Sequence, residues 1–269
     1  MLVGTLLYFL GLAILFETSN PVLFPLIALL GSFTVPLSYV AFFYDRRSPY
    51  AVSISTVALC LFYGGVLGSF GASLLEPVFV RAGGLLPAMQ IGLIEEFAKL
   101  IGVVLIAGHA KQRSAVMGVI LGAAAGMGFA AFESMGYTFV TYFQSRAQIP
   151  AITEVTVIRG LLAPLGHGTW TAILVAVLFR ESTDRHLNFN GKVIWTYLLV
   201  SFLHGAWDWI SWIAGFVAIT ATTVYLSYSL IGVVGLLILR SLWKESKLKA
   251  RSEEIVGGNE APTNYSDNR

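Results

Sequence analysis

Long apolar stretches follow one another along most of the chain, separated by short polar loops. An α-helix needs about 20 apolar residues to cross the ~30 Å hydrocarbon core of a bilayer, and eight stretches come close to that length. Their approximate bounds are 2–16, 22–44, 51–75, 85–107, 114–143, 152–179, 193–213 and 216–242. They are numbered here as segments 1 to 8. The pattern predicts an all-α fold: a polytopic membrane helix bundle of about eight transmembrane helices.

Three of the segments depart from the ideal length. Segment 1 is short, but no Lys or Arg precedes it and no small-x-small site ends it cleanly. These features favour a retained anchor over a cleaved signal peptide. Segments 5 and 6 are longer than a bilayer requires. Tilt, or a break near residues 126–128 and at Pro164, would absorb the excess.

The composition agrees with a membrane protein. Apolar residues make up 56% of the chain and charged residues 12%, whereas soluble domains carry about 25% charged residues. The formal net charge of +2 is too small to indicate a nucleic-acid binder. The single cysteine, Cys60, excludes an intramolecular disulfide framework and a cysteine-based zinc site.

The distribution of Lys and Arg predicts the orientation. Most of the 17 basic residues lie in the loops after segments 2, 4 and 6 and beyond segment 8. The positive-inside rule therefore places both termini in the cytoplasm. We expect a membrane domain over residues 1–243, and a disordered cytoplasmic tail over 244–269, which is too polar to bury a core. No loop is long enough for a soluble catalytic domain, so any chemistry must take place inside the cell membrane.

Several ionisable residues interrupt the apolar segments, and buried charges of this kind mark functional sites in membrane proteins. At ~1.5 Å per helical residue, the acids of segments 4 and 5 lie about 15 Å from the outer ends, and the histidines of segments 6 and 7 about 16–18 Å from the inner ends. A shared depth predicts one polar site near the midplane. Its candidates are Glu95, Glu96, Lys99, Glu133, His167, His204 and Asp208.

The spacing of these residues supports a common site, although each has a simpler interpretation. Glu95 and Lys99 are four residues apart on one helix face and can pair, which could also be a purely structural ion pair. His204 and Asp208 share the same spacing, so both can point at one metal ion or water. His167, considered alone, is better explained as a satisfied core histidine.

Two other patterns in the sequence are best explained by structural roles. Gly118, Gly122 and Gly126 form a small-residue face on segment 5, as expected where two helices pack closely. Glu154 and Arg159 lie near the outer end of segment 6, where an interfacial or structural ion pair is expected.

Carboxylates and imidazoles in one dry site allow two kinds of chemistry. A metal held by such groups lowers the pKa of its bound water to about 7, and the same groups can form a proton or ion pathway. The chain has no His-Glu-x-x-His motif and no Gly-x-Ser-x-Gly motif. Asp208 is the only aspartate in the segments, so the two-aspartate pattern of aspartyl intramembrane proteases is also absent.

The motifs of segments 4 to 7 resemble those of the PrsW family of intramembrane proteases, which is related to the CAAX-prenyl-protease and bacteriocin-processing superfamily. The resemblance covers residues 85–213. It rests on the order of four motifs, which read Glu95-Glu96-x-x-Lys99, Phe132-Glu133-x-x-x-Tyr137, Arg159 with Gly166-His167, and His204-x-x-x-Asp208. The prenyl-protease relatives have a Phe-x-x-x-His motif. This chain has a glutamate in place of that histidine, since Glu133 lies four positions after Phe129, and this indicates a PrsW-type site.

The resemblance implies a membrane endopeptidase, treated as a metalloprotease, that cleaves membrane-anchored regulators such as anti-sigma factors. The site residues that it implies are Glu95, Glu96, Glu133, His167, His204 and Asp208. We expect His167, His204 and Asp208 to hold water through Zn²⁺, with Glu95 or Glu96 as general base and Glu133 as a ligand or second acid. Lys99 would set the charge of the glutamate pair, and Tyr137 would donate to the developing oxyanion. A metal-free mechanism that uses Glu and His alone stays open.

Two alternatives from other classes compete with this hypothesis. A proton-coupled transporter or channel would also need buried acids and histidines, but it predicts an inverted repeat, and the polar residues crowd into segments 4 to 7 only. A catalytically inactive scaffold is the weaker alternative, since buried charges without a role are costly to keep.

Overall fold

The computed structural model describes residues 1–47, 52–81, 83–110, 113–183, 185–215, 217 and 220–258. All the regular secondary structure in these ranges is helical, which confirms the all-α fold class. The helices are α1 (Leu2–Thr18), α2 (Phe24–Asp45), α3 (Ile54–Leu59), α4 (Gly65–Phe79), α5 (Leu85–Ala107), α6 (Ala115–Gln144), α7 (Ile149–Leu162), α8 (His167–Glu181), α9 (Gly191–Ala214) and α10 (Ala221–Gly258).

Five helical stretches of the described chain are long and apolar enough to cross a membrane: Pro21–Asp45, Ile54–Phe79, Ala115–Gln144, Ile149–Glu181 and Ala221–Lys249. Helix α1 is apolar but shorter. Helices α5 and α9 have 23 and 24 residues, enough to cross, but they carry the buried ionisable groups. The chain is thus an integral membrane protein, and eight crossings with cytoplasmic termini stay a prediction.

A break in the fourth of these stretches positions a site residue. A 3₁₀ turn, Ala163–Leu165, separates α7 from α8, as predicted at Pro164. Proline has no N–H to donate and obstructs the preceding helical turn, so the helix is interrupted there. His167 becomes the first residue of α8 as a result. Helix α6, in contrast, runs unbroken through residues 126–128, so the other break considered for the long segments is absent.

The small-residue face of α6 packs directly on the backbone of α8. A Cβ on Gly118 would lie 2.5 Å from the Val175 carbonyl oxygen, and one on Gly122 would lie equally close to that of Thr171. A Cβ on Gly126 would collide with the carbonyl oxygen of His167. The predicted close packing is confirmed, and it holds the start of α8 against the middle of α6.

Helices α5 and α9 pack together in the same way. A side chain on Gly92 would collide with the backbone of α9 near Gly205, and a Cβ on Gly205 would lie 2.8 Å from the Ala88 carbonyl oxygen. The Tyr197 hydroxyl donates a 2.7 Å hydrogen bond to the Leu93 carbonyl oxygen and ties the same two helices together. These contacts bring the acids of α5 beside the histidine of α9.

The last helix is longer than the sequence predicts. Helix α10 continues to Gly258, into the segment expected to be a disordered tail from residue 244. Lys, Glu, Leu, Ala and Arg make up most of residues 244–254, and all five are good helix formers, so the transmembrane helix has no local reason to stop there. The rest of the expected tail, residues 259–269, lies outside the described residues.

Candidate metal and catalytic site

Three side chains from three helices converge at the centre of the bundle. Glu95 Oε2, on α5, lies 3.4 Å from His204 Nε2 on α9 and 3.9 Å from His167 Nδ1 at the start of α8. One ligand atom from each of the three residues lies within 4.8 Å of the other two. This set is called the central cluster below.

The second ring nitrogen of His204 is bound by a glutamate. His204 Nδ1 lies 3.1 Å from Glu96 Oε1, and both side chains are almost fully buried. A carboxylate accepts hydrogen bonds, so Nδ1 carries the proton in this pair. The Nε2 atom is therefore the nitrogen that faces the centre.

His167 has an equivalent partner. Its Nε2 atom lies 3.2 Å from Glu133 Oε2 on α6, and its Nδ1 atom faces Lys99 Nζ at 2.9 Å. An ammonium can only donate, so Nδ1 accepts and Nε2 carries the proton. Glu96 and Glu133 thus each fix the orientation of one imidazole, the outer-shell arrangement that is usual around metal-binding histidines.

Arg159 completes the surroundings of Glu133. Its guanidinium lies 2.7 Å from Glu133 Oε2 and packs 4.1 Å from the centre of the Tyr137 ring. The sequence suggested an ion pair with Glu154 instead, but Glu154 is exposed and Arg159 is paired with Glu133. Glu154 is the nearer acid in the sequence, on the same helix as Arg159. Glu133 is nearer in space because α6 and α7 cross beside it.

The two adjacent glutamates of α5 have different environments. Both oxygens of Glu96 are bound: Oε1 by Lys99 Nζ at 2.8 Å as well as by His204, and Oε2 by the Thr171 hydroxyl at 2.9 Å. Glu95 borders an open cavity, and its side chain is 9% exposed against 0% for Glu96. Glu95 is therefore the one that can meet a substrate or a water molecule.

Asp208 stands beside the central cluster. Its Oδ2 atom lies 3.5 Å from His204 Nε2, is buried, and has no hydrogen-bond partner among the described residues. Two carboxylate oxygens, from Glu95 and Asp208, thus approach the same imidazole nitrogen. Negative oxygens converge in this way where a proton or a cation lies between them.

Several of the acids and histidines described above line one wall of a cavity of about 880 Å³. Glu95, Glu133, His167 and Asp208 all border it, and the other walls come from α4, α7 and α10. The cavity extends from the central cluster past Tyr137, toward the ends of α6 and α9 that are predicted to face outward. Water and an extended peptide segment both fit a space of this size.

The structure thus brings together every site residue named from the sequence, while their individual roles stay predictions. It also adds two residues that the sequence analysis missed. Thr171 lies one helical turn after His167, a spacing that could have indicated it. Glu76, on α4, borders the cavity, but it follows segment 3 directly in the sequence, where a charged residue gives no signal of a site.

The central cluster fits a metal ion in the chemistry of its donors. One carboxylate and two imidazoles are the ligands of many catalytic zinc sites, and each imidazole has the outer partner that such a site needs. The sequence placed Asp208 among the ligands, whereas the three mutually close ligand atoms include Glu95 in its place.

Comparison with known proteins gives one match. A family model described as "PrsW family intramembrane metalloprotease" matches residues 50–239 of the chain. The matched region contains the central cluster, the residues that hold it, and the cavity. Neither the curated proteins nor the solved structures contain a match to this chain.

Proposed function

Since the chain belongs to the PrsW family of intramembrane metalloproteases, and is thereby a membrane hydrolase acting on peptide bonds, we propose that it cleaves membrane-anchored proteins in the cavity beside Glu95, His167 and His204. One observation carries the proposal. Ligand atoms from three helices lie close together, and two of these residues, Glu95 and His167, border a cavity large enough for a peptide. The substrates we propose are regulatory proteins of the plasma membrane, such as anti-sigma factors.

Glu95, His167 and His204 are the residues that would hold the metal, and their donor set favours Zn²⁺. When bound, the metal supplies a water of lowered pKa and polarises the scissile carbonyl. Relative to the sequence-based hypothesis, this exchanges the roles of Glu95 and Asp208. Glu95 becomes a ligand because its Oε2 atom lies between the two histidines.

Asp208 is the general base in this proposal. The Asp208 side chain borders the cavity and is 29% exposed, so its carboxylate can take a proton from water and return one to the leaving amine. Glu96 and Glu133 orient His204 and His167 through their hydrogen bonds. Both act as positioning residues, although Glu133 also borders the cavity.

Arg159 and Tyr137 also border the cavity, and each carries a hydrogen-bond donor. We assign to them the binding of substrate carbonyl groups, including the oxygen that becomes negative during the reaction. A helical substrate keeps its carbonyls hydrogen-bonded within the helix, so it must unwind locally before these donors can reach it. The transporter alternative gains no support from the family match.

A cleavage assay tests the proposal. Purified protein in liposomes is mixed with a single-span substrate labelled on both sides of the membrane, with and without a strong chelator. We expect cleavage that the chelator abolishes and Zn²⁺ restores, and none from Glu95→Gln or His204→Ala. Glu154→Gln, which removes an exposed acid outside the cavity, is the matched control and should cleave normally. Wild-type rates from both site variants would refute the assignment.

A further inference from the structure

Lys99 lies within the donor set that the metal requires. Its Nζ atom is 3.1 Å from Glu95 Oε2, 2.9 Å from His167 Nδ1 and 2.8 Å from Glu96 Oε1. Two of these residues belong to the central cluster. We infer that the Lys99 ammonium competes with the metal for Glu95 and His167, and thereby sets the affinity of the site for divalent cations. The inference rests on the metal site of the proposed function, but not on its peptidase activity.

The competition at His167 is exclusive. A neutral imidazole has one protonated nitrogen and one with a lone pair. Because Nε2 faces the Glu133 carboxylate at 3.2 Å, the lone pair is on Nδ1, which faces Lys99. The same lone pair cannot bind an ammonium and a metal ion at once. A metal that uses His167 must therefore displace Lys99 from it.

The packing of Lys99 keeps its ammonium in this position. The side chain is fully buried, and Nζ lies 4.0 Å from the centre of the Phe129 ring. Its carbon chain passes over Gly68 of α4, where an added Cβ would approach Lys99 Cγ to 3.4 Å. A long side chain enclosed in this way cannot swing out to solvent. It can only shift toward Glu96, the one of its three partners outside the central cluster.

The charges explain why such a competitor is useful. Without a cation, the adjacent carboxylates of Glu95 and Glu96 would repel each other in a medium of low dielectric. Lys99 balances them while the metal is absent. When a doubly charged ion enters, the ammonium beside it is repelled, so the ion binds less tightly than it would to the same donors alone. Lys99 thus holds the site assembled and makes metal binding reversible.

The test compares metal affinity between wild-type protein and two Lys99 variants. Lys99→Met removes the charge and keeps the shape. Lys99→Gln also removes the charge but keeps an N–H donor for Glu96, so it folds more readily. Purified proteins are stripped of metal and titrated with Co²⁺, whose visible absorption reports ligation directly. We expect both variants to bind Co²⁺ at least about tenfold more tightly than the wild type.

Arg180→Gln is the control for the loss of a positive charge in general. It removes a cation at the end of α8, where Arg180 pairs with Glu181 and Glu245 and does not border the cavity. Its Co²⁺ affinity should change by less than about threefold, since the interaction weakens with distance. An equal gain in Arg180→Gln and in the Lys99 variants would contradict direct competition.

Thermal unfolding provides a second readout. The metal-free Lys99 variants should unfold at lower temperature than the wild type, and saturating Co²⁺ should raise their Tm by more than it raises that of the wild type, because tighter binding stabilises more. Three outcomes would contradict the inference. A folded Lys99 variant could bind Co²⁺ no more tightly than the wild type, or none of the three proteins could bind Co²⁺ at all. The third is that neither Lys99 variant folds even in saturating Co²⁺. A wild type that cleaves no substrate would defeat the proposed function and leave these affinities unaffected.

Discussion

His204 Nδ1 donates a hydrogen bond to Glu96 Oε1 at 3.1 Å, between residues 108 positions apart in the chain. The bond joins α9 to α5 in the interior of the bundle and leaves Nε2 of the same imidazole facing the central cluster. His167 is held in the same way by Glu133. Each of the two histidines is therefore oriented by an acid from a different helix, Glu96 on α5 and Glu133 on α6. Glu96 is enclosed, whereas Glu133 borders the cavity together with Glu95 and Asp208.

The first prediction concerns Glu96 as a positioning residue. Glu96→Gln removes the charge that holds His204 but keeps an oxygen that can accept from Nδ1. We expect Co²⁺ affinity and the rate of substrate cleavage each to fall by about 10–100-fold, the usual cost of losing an outer-shell partner. Absorption titration and the liposome cleavage assay measure the two effects. Unchanged metal affinity together with complete loss of cleavage would instead indicate that Glu96 acts directly on the substrate.

The second prediction separates a ligand from a base. Asp208→Asn should lower the cleavage rate by about 10²–10⁴-fold, since an amide cannot accept a proton from water, while Co²⁺ still binds, with an affinity lowered by no more than the about 10–100-fold that losing an outer-shell partner costs. Glu95→Gln should lose both cleavage and Co²⁺ binding. If Asp208→Asn also abolished Co²⁺ binding, Asp208 would be a ligand, as the sequence alone had indicated.

The sequence predicted the fold class, and it predicted that the named acids and histidines lie close together, because both follow from positions counted along helices. The length of each apolar stretch predicts a membrane helix, and the position of each ionisable residue along its helix predicts how deep in the membrane it lies. Glu95, Glu133, His167 and His204 meet because they lie at similar depths on helices that pack together, and the glycines of α6 indicated one of those contacts in advance.

The sequence could not give the direction in which each side chain points around its helix. Glu95 and Glu96 differ by one position, and only the packing of α5 against α9 and α8 determines that Glu96 is enclosed and Glu95 faces the cavity. The partner of Arg159 was missed for the same reason, since it depends on the crossing of two helices. Helix α10 continues past residue 243 because the residues that make this segment polar, chiefly Lys, Glu and Arg, are also good helix formers.

The third prediction tests Thr171, whose hydroxyl donates to Glu96 Oε2. Thr171→Val has the same shape without the hydroxyl, so it leaves a buried carboxylate oxygen unsatisfied. We expect the free energy of unfolding to fall by about 1–3 kcal/mol and Co²⁺ affinity to fall as Glu96 reorients. Thr171→Ser keeps the hydroxyl and should restore the metal affinity of the wild type. If valine and serine had equal effects on Co²⁺ binding, the hydrogen bond would have no part in holding the site.

The fourth prediction concerns the contact that places His167. Gly126→Ala puts a methyl group against the His167 carbonyl oxygen, which is backbone and cannot move aside without shifting the start of α8. Overpacking of this kind costs about 1–3 kcal/mol, so Tm in detergent should fall, and Co²⁺ affinity should fall with it because His167 is displaced. Gly136→Ala is the matched control on the same helix, since a Cβ there meets nothing within 4 Å. It should leave both quantities near those of the wild type. Equal losses from the two substitutions would mean that helix α6 tolerates no added methyl group, and that the contact with His167 has no special role.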